Sequence, residues 1–305
     1  MEALGKKYNA VLQQTMLRIK DPKVSVPFYE KHFGMQLVHK YDFPQWKFSL
    51  YFLERPSASF EGCGEPGTPT SENYLWNMTG QCTLELTHNH GSEDDPDFSV
   101  WSGNGGRDLP RDSRLFIENG PVRGFGHVAF NVDDVYAYSA DLEEEGVRFQ
   151  KKPDEGRMKG LAFCLDPDGY WIELVARSRS FPGVPANLSQ TMLRVKDAAA
   201  TVDFYQNVMG MQLMRKMEIP NDFTNYFLTS VLTPDEKERY DKEQIDPNST
   251  EASEFTHSLW YPILEITHNH GTESDEEFQI STGNDGKWRG FGPVSYTHLT
   301  LPTKA

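Results

Sequence analysis

Residues 13–21 read QQTMLRIKD, and the same block returns at residues 189–197 as SQTMLRVKD. A second block repeats with it, because LELTHNHG at 84–91 becomes LEITHNHG at 264–271. Between the copies lie RGFGHVAF at 123–130 and DPDGYWIEL at 166–174, and only RGFG recurs afterwards, at 289–292. These repeats indicate a tandem duplication whose second copy lacks the counterpart of about fifty residues.

The pattern inside each copy predicts the order βαβββ. In the first unit, strands are expected at 13–20, 35–41, 47–53 and 82–88, with a helix that begins after Asp21 and ends at Gly34. The next unit repeats this order with strands at 126–132, 147–151, 161–165 and 170–176 and a helix that ends at Gly146. Residues 54–80 and 91–120 are rich in glycine and proline and are predicted to be long loops. The predicted fold class is therefore α+β, with paired βαβββ modules in tandem.

The repeat also predicts the domain boundaries. Residues 1–176 form a first domain of two modules, and residues 177–187 form a linker. Residues 188–292 form an incomplete second domain that holds the third module. The final stretch, PVSYTHLTLPTKA at 293–305, matches nothing upstream and is interpreted as a non-native tail.

Charge and cysteine content narrow the function classes. A net charge of −15 argues against nucleic acid or an anionic membrane surface as partner. No apolar run approaches membrane-spanning length, and the first residues lack the apolar core of a signal peptide. Cys63, Cys82 and Cys164 form no CxxC pair, so they are expected to be buried, reduced thiols. A cytoplasmic protein is the resulting expectation.

Polar residues stand in the middle of strands that are otherwise apolar. Strand side chains alternate between faces, and four strands each place an amide, carboxylate or imidazole opposite an apolar face. A carboxylate or imidazole in a half-buried strand is costly unless it is paired or bound to a metal. Each such residue alone is more often a solvated strand residue than a ligand, but two of them recur at the same phase in the second copy. Oxygen and nitrogen donors without thiolate suit a divalent cation. The candidate ligands are Gln14, Glu85, His127, Glu173, Gln190 and Glu265.

The repeated blocks resemble one known family. QTMLRIKDPKVSVPFYEKHFGMQL at 14–37, LELTHNHGSEDD at 84–95, RGFGHVAF, and KKPDEGRMKGLAFCLDPDGYWIEL at 151–174 are similar to glyoxalase I, the lactoylglutathione lyases. The resemblance covers nearly all of 12–176 and again 188–292. It implies paired βαβββ modules that form open barrels, with one divalent metal per site. Zinc is expected because the loops are long, and nickel is the alternative.

The resemblance also implies how each site is assembled. In two-domain forms, module one pairs with module four and module two with module three. One complete ligand set would then be His127 and Glu173 from the first half with Gln190 and Glu265 from the second. Gln14 and Glu85 would lack partners unless another chain supplied them in competition. The residues expected to hold glutathione or to close over it are Arg18, Asn89, Arg123, Lys151, Arg157, Met158, Arg194 and Asn269. The insertion at 105–120 alters the loop before Arg123.

The implied reaction is isomerisation of the methylglyoxal–glutathione hemithioacetal to S-lactoylglutathione. A metal-stabilised ene-diolate would carry the proton transfer, with Glu173 as base and Glu265 facing it across the metal. The alternatives are an inactive truncated fragment, a small-molecule binding protein of the same superfamily, or another enzyme of it such as an extradiol dioxygenase or an epimerase. The native form is expected to be a monomer, and the shortened form is expected to self-associate through an uncovered sheet face.

Overall fold

The first repeat folds as the predicted βαβββ module. The computed structural model describes residues 3–55, 63–78, 82–181 and 183–298. In the second helix, Asp21 accepts a hydrogen bond from the backbone N–H of Lys23, and Gly34 ends the helix at φ 62°. The elements of this repeat are α1 (Leu4–Lys7), β1 (Ala10–Ile19), α2 (Pro22–Phe33), β2 (Gln36–Phe43), β3 (Phe48–Glu54), α3 (Pro69–Asn77) and β4 (Thr83–Asn89).

Helix α3 corrects the prediction of one long loop over residues 54–80. Thr68 begins the helix by accepting a hydrogen bond from the backbone N–H of Ser71, and the Ser71 hydroxyl accepts one from the backbone N–H of Thr68. This reciprocal cap outweighs the glycine and proline content on which the loop prediction depended. The cap sequence was visible as Thr-Pro-Thr-Ser at 68–71.

The second and third modules repeat the first with local changes. Module two has β5 (Phe125–Val132), α4 (Val135–Glu144), β6 (Phe149–Lys151), β7 (Ala162–Leu165) and β8 (Trp171–Ala176). In module three, a π-helical turn at Phe204–Val208 follows α5. Its other elements are β9 (Ala186–Val195), α5 (Ala198–Asp203), β10 (Gln212–Ile219), β11 (Phe223–Thr229), α6 (Pro234–Glu243), α7 (Thr250–His257) and β12 (Ile263–Asn269).

Modules two and three share one sheet of eight strands. Its order is β10-β11-β12-β9-β5-β8-β7-β6. The central pair, β5 and β9, is antiparallel and joins the two modules, while each of these strands runs parallel to the last strand of its own module. This arrangement confirms the predicted fold of paired modules, and it brings the polar residues of four adjacent strands into one region.

Module one lies in a second sheet of five strands. Its order is β13-β1-β4-β3-β2, where β13 covers Phe291–His298. Strand β13 runs antiparallel to β1, as β5 does to β9. Residues 293–298 therefore continue a strand that begins in the repeated RGFG block. The interpretation of 293–305 as a non-native tail stays a prediction, as do the proposed domain boundaries, and residues 299–305 lie outside the described part of the chain.

The two sheets pack around a common interior. Phe33 of module one lies 4.4 Å from Phe130 of module two between ring centroids. Thr15 and Thr191, which occupy the same position in the repeat, share a hydrogen bond of 2.6 Å. The linker is fixed as well, because Arg177 donates to Asp133 over 2.6 Å. None of the helices in the described ranges combines the length and apolar character that crossing a bilayer requires.

Candidate metal centre

Four polar side chains from four neighbouring strands meet near the centre of the eight-stranded sheet. They are His127 on β5, Glu173 on β8, Gln190 on β9 and Glu265 on β12. The register explains the convergence, because Ala129 is paired both with Glu173 on one side and with Gln190 on the other. All four side chains are buried. The structure thus brings together the one complete ligand set that the resemblance implied.

The four side chains are within contact distance of one another. His127 Nε2 lies 3.2 Å from Glu173 Oε2 and 3.4 Å from Glu265 Oε2. The Gln190 amide donates to the same two oxygens over 2.8 Å and 3.0 Å. One ligand atom from each of His127, Glu173 and Glu265 fits within 4.8 Å. These donor atoms surround a single point.

The electrostatics of this cluster favour a bound cation. Burial lowers the pKa of His127, but the carboxylates of Glu173 and Glu265 outweigh it and raise the pKa to about 9. Burial raises the pKa of Glu265. His127 Nε2 is buried and makes no well-directed hydrogen bond to any described residue. A divalent cation would satisfy this nitrogen and both carboxylates, so the donor set fits the expected metal. Gln190 would contribute its carbonyl oxygen after a half-turn of its amide.

Asn225 holds Glu265 from the side away from Gln190. Its amide donates to Glu265 Oε1 over 2.6 Å, and its carbonyl oxygen accepts from the Thr267 hydroxyl over 2.8 Å. The sequence reasoning missed Asn225. The signal lies in the repeat, because FSLYFL at 48–53 corresponds to FTNYFL at 223–228, with Leu50 at the position of Asn225.

The structure brings Gln14 and Glu85 together but not with an imidazole. The Gln14 amide donates to Glu85 Oε2 over 2.5 Å, and the Thr87 hydroxyl donates to the other oxygen over 3.2 Å. Burial raises the pKa of Glu85 to about 7. In β13, the repeat position of His127 is occupied by Pro293, which is exposed. This pair therefore supplies two of the four ligands expected for a complete set.

A cavity of about 410 Å³ borders the candidate metal centre. It is lined by Arg123, Met158, Arg194 and Asn269, which were all predicted to contact substrate. Asp108, from the insertion, holds Arg123 by accepting from its backbone N–H over 3.0 Å and from Nε over 2.8 Å. The insertion therefore positions Arg123 directly.

The Arg194 guanidinium already donates hydrogen bonds to other residues of the protein. It donates to the Phe125 carbonyl over 3.1 Å and to Asn104 Oδ1 over 3.0 Å. Burial lowers its pKa to about 9, and the neighbouring Arg123 contributes in the same direction. Arg194 thus fixes the segment that leads into β5 as well as facing the cavity.

Four other residues that were predicted to contact substrate do not line the larger cavity. Lys151 donates to the Leu161 carbonyl over 2.6 Å, and Arg157 lies 3.6 Å from Asp222 across the cavity mouth. Arg18 belongs to the other sheet and donates to the Gly290 carbonyl over 3.2 Å. Asn89 ends β4 in that same sheet and is exposed. Arg18 and Asn89 are therefore not part of the His127 centre.

Comparison with known proteins identifies the family of this chain. The family described as the Glyoxalase/Bleomycin resistance protein/Dioxygenase superfamily matches residues 11–174 and 187–292. The Saccharomyces cerevisiae protein named glyoxalase I is 37% identical over 297 residues, which cover 95% of this chain and 77% of that protein. The Schizosaccharomyces pombe lactoylglutathione lyase is 37% identical over 293 residues, which cover 93% and 80%. The crystal structure of glyoxalase I from Zea mays shares the fold, with a TM-score of 0.55 and 24% identity over 86% of this chain and 68% of that one.

Proposed function

The chain belongs to the Glyoxalase/Bleomycin resistance protein/Dioxygenase superfamily and within it to the lactoylglutathione lyases, and from this premise we propose the reaction and the residues that perform it. The substrate is the hemithioacetal of methylglyoxal and glutathione, and the product is S-lactoylglutathione. The observation that carries the proposal is the convergence of His127, Glu173, Gln190 and Glu265 beneath a cavity lined by Arg123 and Asn269.

The four convergent residues hold the metal in this proposal. A bound divalent cation supplies electrostatic stabilisation for the negative charge that develops on the two substrate oxygens. Zinc is the proposed ion and nickel the alternative, since imidazole, amide and carboxylate donors suit both. The burial of the centre excludes bulk water and strengthens each of these interactions.

Glu173 is the proposed base. Its carboxylate takes the proton from the hemithioacetal carbon and returns it to the neighbouring carbon, while the hydroxyl proton moves to the adjacent oxygen. The two glutamates are held unequally, which supports this assignment. Glu265 accepts from Gln190 on one oxygen and from Asn225 on the other. Glu173 Oε2 accepts from Gln190, and no described residue bonds its second oxygen, so Glu173 is freer to exchange between metal and substrate.

The glutathione part of the substrate is proposed to occupy the larger cavity. The Arg123 guanidinium, held by Asp108, and the Asn269 amide bind carboxylate groups. Met158 and Arg157 belong to the segment that bridges the cavity mouth. Lys151 lies at the base of that segment and completes the proposed set.

The proposed setting is a cytoplasmic monomer. One complete ligand set forms within a single chain, so a partner subunit is not needed for activity. Cys63, Cys82 and Cys164 are buried and unpaired, which supports a reducing compartment.

The test is thioester formation from methylglyoxal and glutathione, measured before and after chelation and after zinc or nickel is restored. We expect chelation to abolish activity and Glu173→Gln to lower kcat by about 10²-fold or more while most of the metal is retained. Metal content and melting temperature of the variant serve as controls. Full activity in Glu173→Gln would remove the base assignment, and binding of the glutathione adduct without turnover would favour the binding-protein alternative.

A further inference from the structure

A second cavity also borders the candidate metal centre, and it shares Glu173, Asn225 and Glu265 with the larger one. It has a volume of about 260 Å³, and Glu173, Gln190 and Glu265 form part of its wall. Its remaining wall is largely apolar, with Met217, Phe227, Leu259 and Ile263. A cavity of this size is far larger than the about 10–15 Å³ that one water molecule needs, so it has room for a small organic group.

Arg215 places a positive charge in this apolar wall. Its guanidinium lies 5.3 Å from the centroid of the Phe227 ring, and Nη2 lies 3.5 Å from Met217 Sδ. Within the described residues no carboxylate forms an ion pair with it. Arginine keeps its charge at neutral pH, and a half-buried guanidinium with unused donors favours an anion. The two acids that line the cavity, Glu173 and Glu265, contact His127 and Gln190, and Glu265 acts on Arg215 electrostatically without forming an ion pair with it.

The remaining titratable groups do not cancel this charge. His257, at the end of α7, also lines the cavity. Burial lowers the pKa of His257, and the nearby Arg215 lowers it further. Lys159 at the rim adds a second cation. The lining of the cavity therefore carries two cations, Arg215 and Lys159, in addition to the two glutamates.

Arg215 is not required by the shared scaffold of the repeat. MQLVHKY at 35–41 corresponds to MQLMRKM at 211–217, so His39 occupies the same position in module one. His39 Nδ1 shares a hydrogen bond of 2.7 Å with Ser71 and is buried within that module. The same position of the repeat thus carries a buried, hydrogen-bonded imidazole in module one, His39. In module three it carries Arg215, a cation without an ion pair in the cavity beside the candidate metal centre.

Under the proposed function, the smaller cavity is the space left for the substituent of the α-oxoaldehyde. Resting on that function, we infer that Arg215 makes this cavity selective for substituents that end in a carboxylate. The larger cavity holds glutathione, so the two cavities divide the hemithioacetal between them at the metal centre. Arg215 acts as a specificity-determining residue, and methylglyoxal, whose substituent is one methyl group, leaves its guanidinium unused.

The test compares two substrates that differ in one charge, 4,5-dioxopentanoate and its methyl ester, each added to glutathione. The readout is the ratio of their kcat/KM values, so that a general loss of activity in a variant cancels. We expect the native chain to prefer the acid, Arg215→Met to lower the ratio by about 10-fold, and Arg215→Lys to retain most of it. The matched control is Lys216→Met, the next residue along β10, whose ammonium lies over the Tyr226 ring and outside the cavity.

The outcomes separate the two proposals. A native chain that shows no preference for the acid, or an Arg215→Met variant with an unchanged ratio, overturns the inference and leaves the lyase reaction intact. A native, metal-loaded chain that fails to convert methylglyoxal overturns the proposed function itself. If Arg215→Met does not fold, the native ratio and Arg215→Lys still decide the question.

Discussion

At the scale of single residues, the amide of Asn225 distinguishes the two halves of the chain. It anchors one oxygen of Glu265, while module one has Leu50 at the same position. An anchored carboxylate loses less freedom when it binds a cation, and outer partners of this kind raise the affinity of the site. We therefore expect Asn225 to contribute to metal binding without being a proposed ligand.

We expect Asn225→Leu to weaken zinc binding by about 10–100-fold. The reason is that Glu265 Oε1 loses its donor in a buried place and the carboxylate is no longer oriented. Competition with a zinc-binding dye measures the change. Leu50→Asn, at the equivalent position of module one, is the matched control and should leave the affinity unaltered. Equal affinity in Asn225→Leu and the native chain would show that Gln190 alone orients Glu265.

Glu54 is a buried acid outside the site whose ionisation opposes folding. It accepts a hydrogen bond from the Tyr74 hydroxyl over 2.8 Å, and burial raises its pKa from 4.5 to about 7. An acid with a raised pKa binds its proton more tightly in the folded state than in the unfolded state. Stability is therefore lost as the pH rises from about 4.5 to about 7.

Glu54→Gln should remove this loss. Relative to the native chain, the variant is expected to gain about 1–3 kcal/mol between pH 5 and pH 8, because its side chain stays neutral throughout. The difference in melting temperature at the two pH values measures this gain. Glu238→Gln, on the exposed surface of α6, is the control. A constant difference at both pH values would contradict the expectation.

At the scale of elements, the insertion at 105–120 serves the larger cavity. Asp108 accepts two hydrogen bonds from Arg123 and thereby orients its guanidinium, so the segment belongs to the proposed substrate site. Without Asp108, the Arg123 side chain would be free to move. Substrate binding would then have to offset the loss of conformational entropy when Arg123 becomes ordered.

We expect Asp108→Ala to raise the KM for the hemithioacetal by about 10-fold, with a smaller effect on kcat, because Arg123 binds carboxylate in the ground state as in the transition state. Steady-state kinetics at several glutathione-adduct concentrations provide the measurement. Asp112→Ala changes an exposed acid of the same segment and should leave KM unchanged. A kcat effect without a KM effect would place Asp108 in the chemistry instead.

The strands and helices of the modules, and the candidate ligands on the strands, could be predicted from the sequence because the blocks repeat at a fixed phase. Gln190 and Glu265 were found from Gln14 and Glu85, and His127 and Glu173 from strand alternation. Asp108 and Arg215 were missed for a physical reason. The fold of the chain brings their side chains to the cavities, and no periodicity in the sequence marks which polar loop or strand residue ends beside a metal centre. The sequence does mark Asn225 and Arg215 in one way, because each differs in type from its counterpart in module one.

At the scale of the whole molecule, the two sheets are built from related modules but carry different sets of candidate ligands. Arg18 donates to the Phe291 carbonyl and to Asn284 as Arg194 does to the Phe125 carbonyl and Asn104, so the first strand of each module holds the equivalent segment in the same way. The difference lies in the ligands. The eight-stranded sheet supplies four, and the five-stranded sheet supplies Gln14 and Glu85 beside Pro293.

We therefore expect one tightly bound divalent metal ion per chain. An amide and one carboxylate do not hold zinc against dialysis, because structural and catalytic sites use at least three protein ligands. Metal analysis of dialysed protein should find one ion in the native chain and in Glu85→Gln, and far less in Glu265→Gln, which makes the same change at the same repeat position. Two ions per chain, or loss of metal in Glu85→Gln, would mean that Gln14 and Glu85 obtain their missing ligands from another molecule, and the protein would then be an oligomer with shared sites.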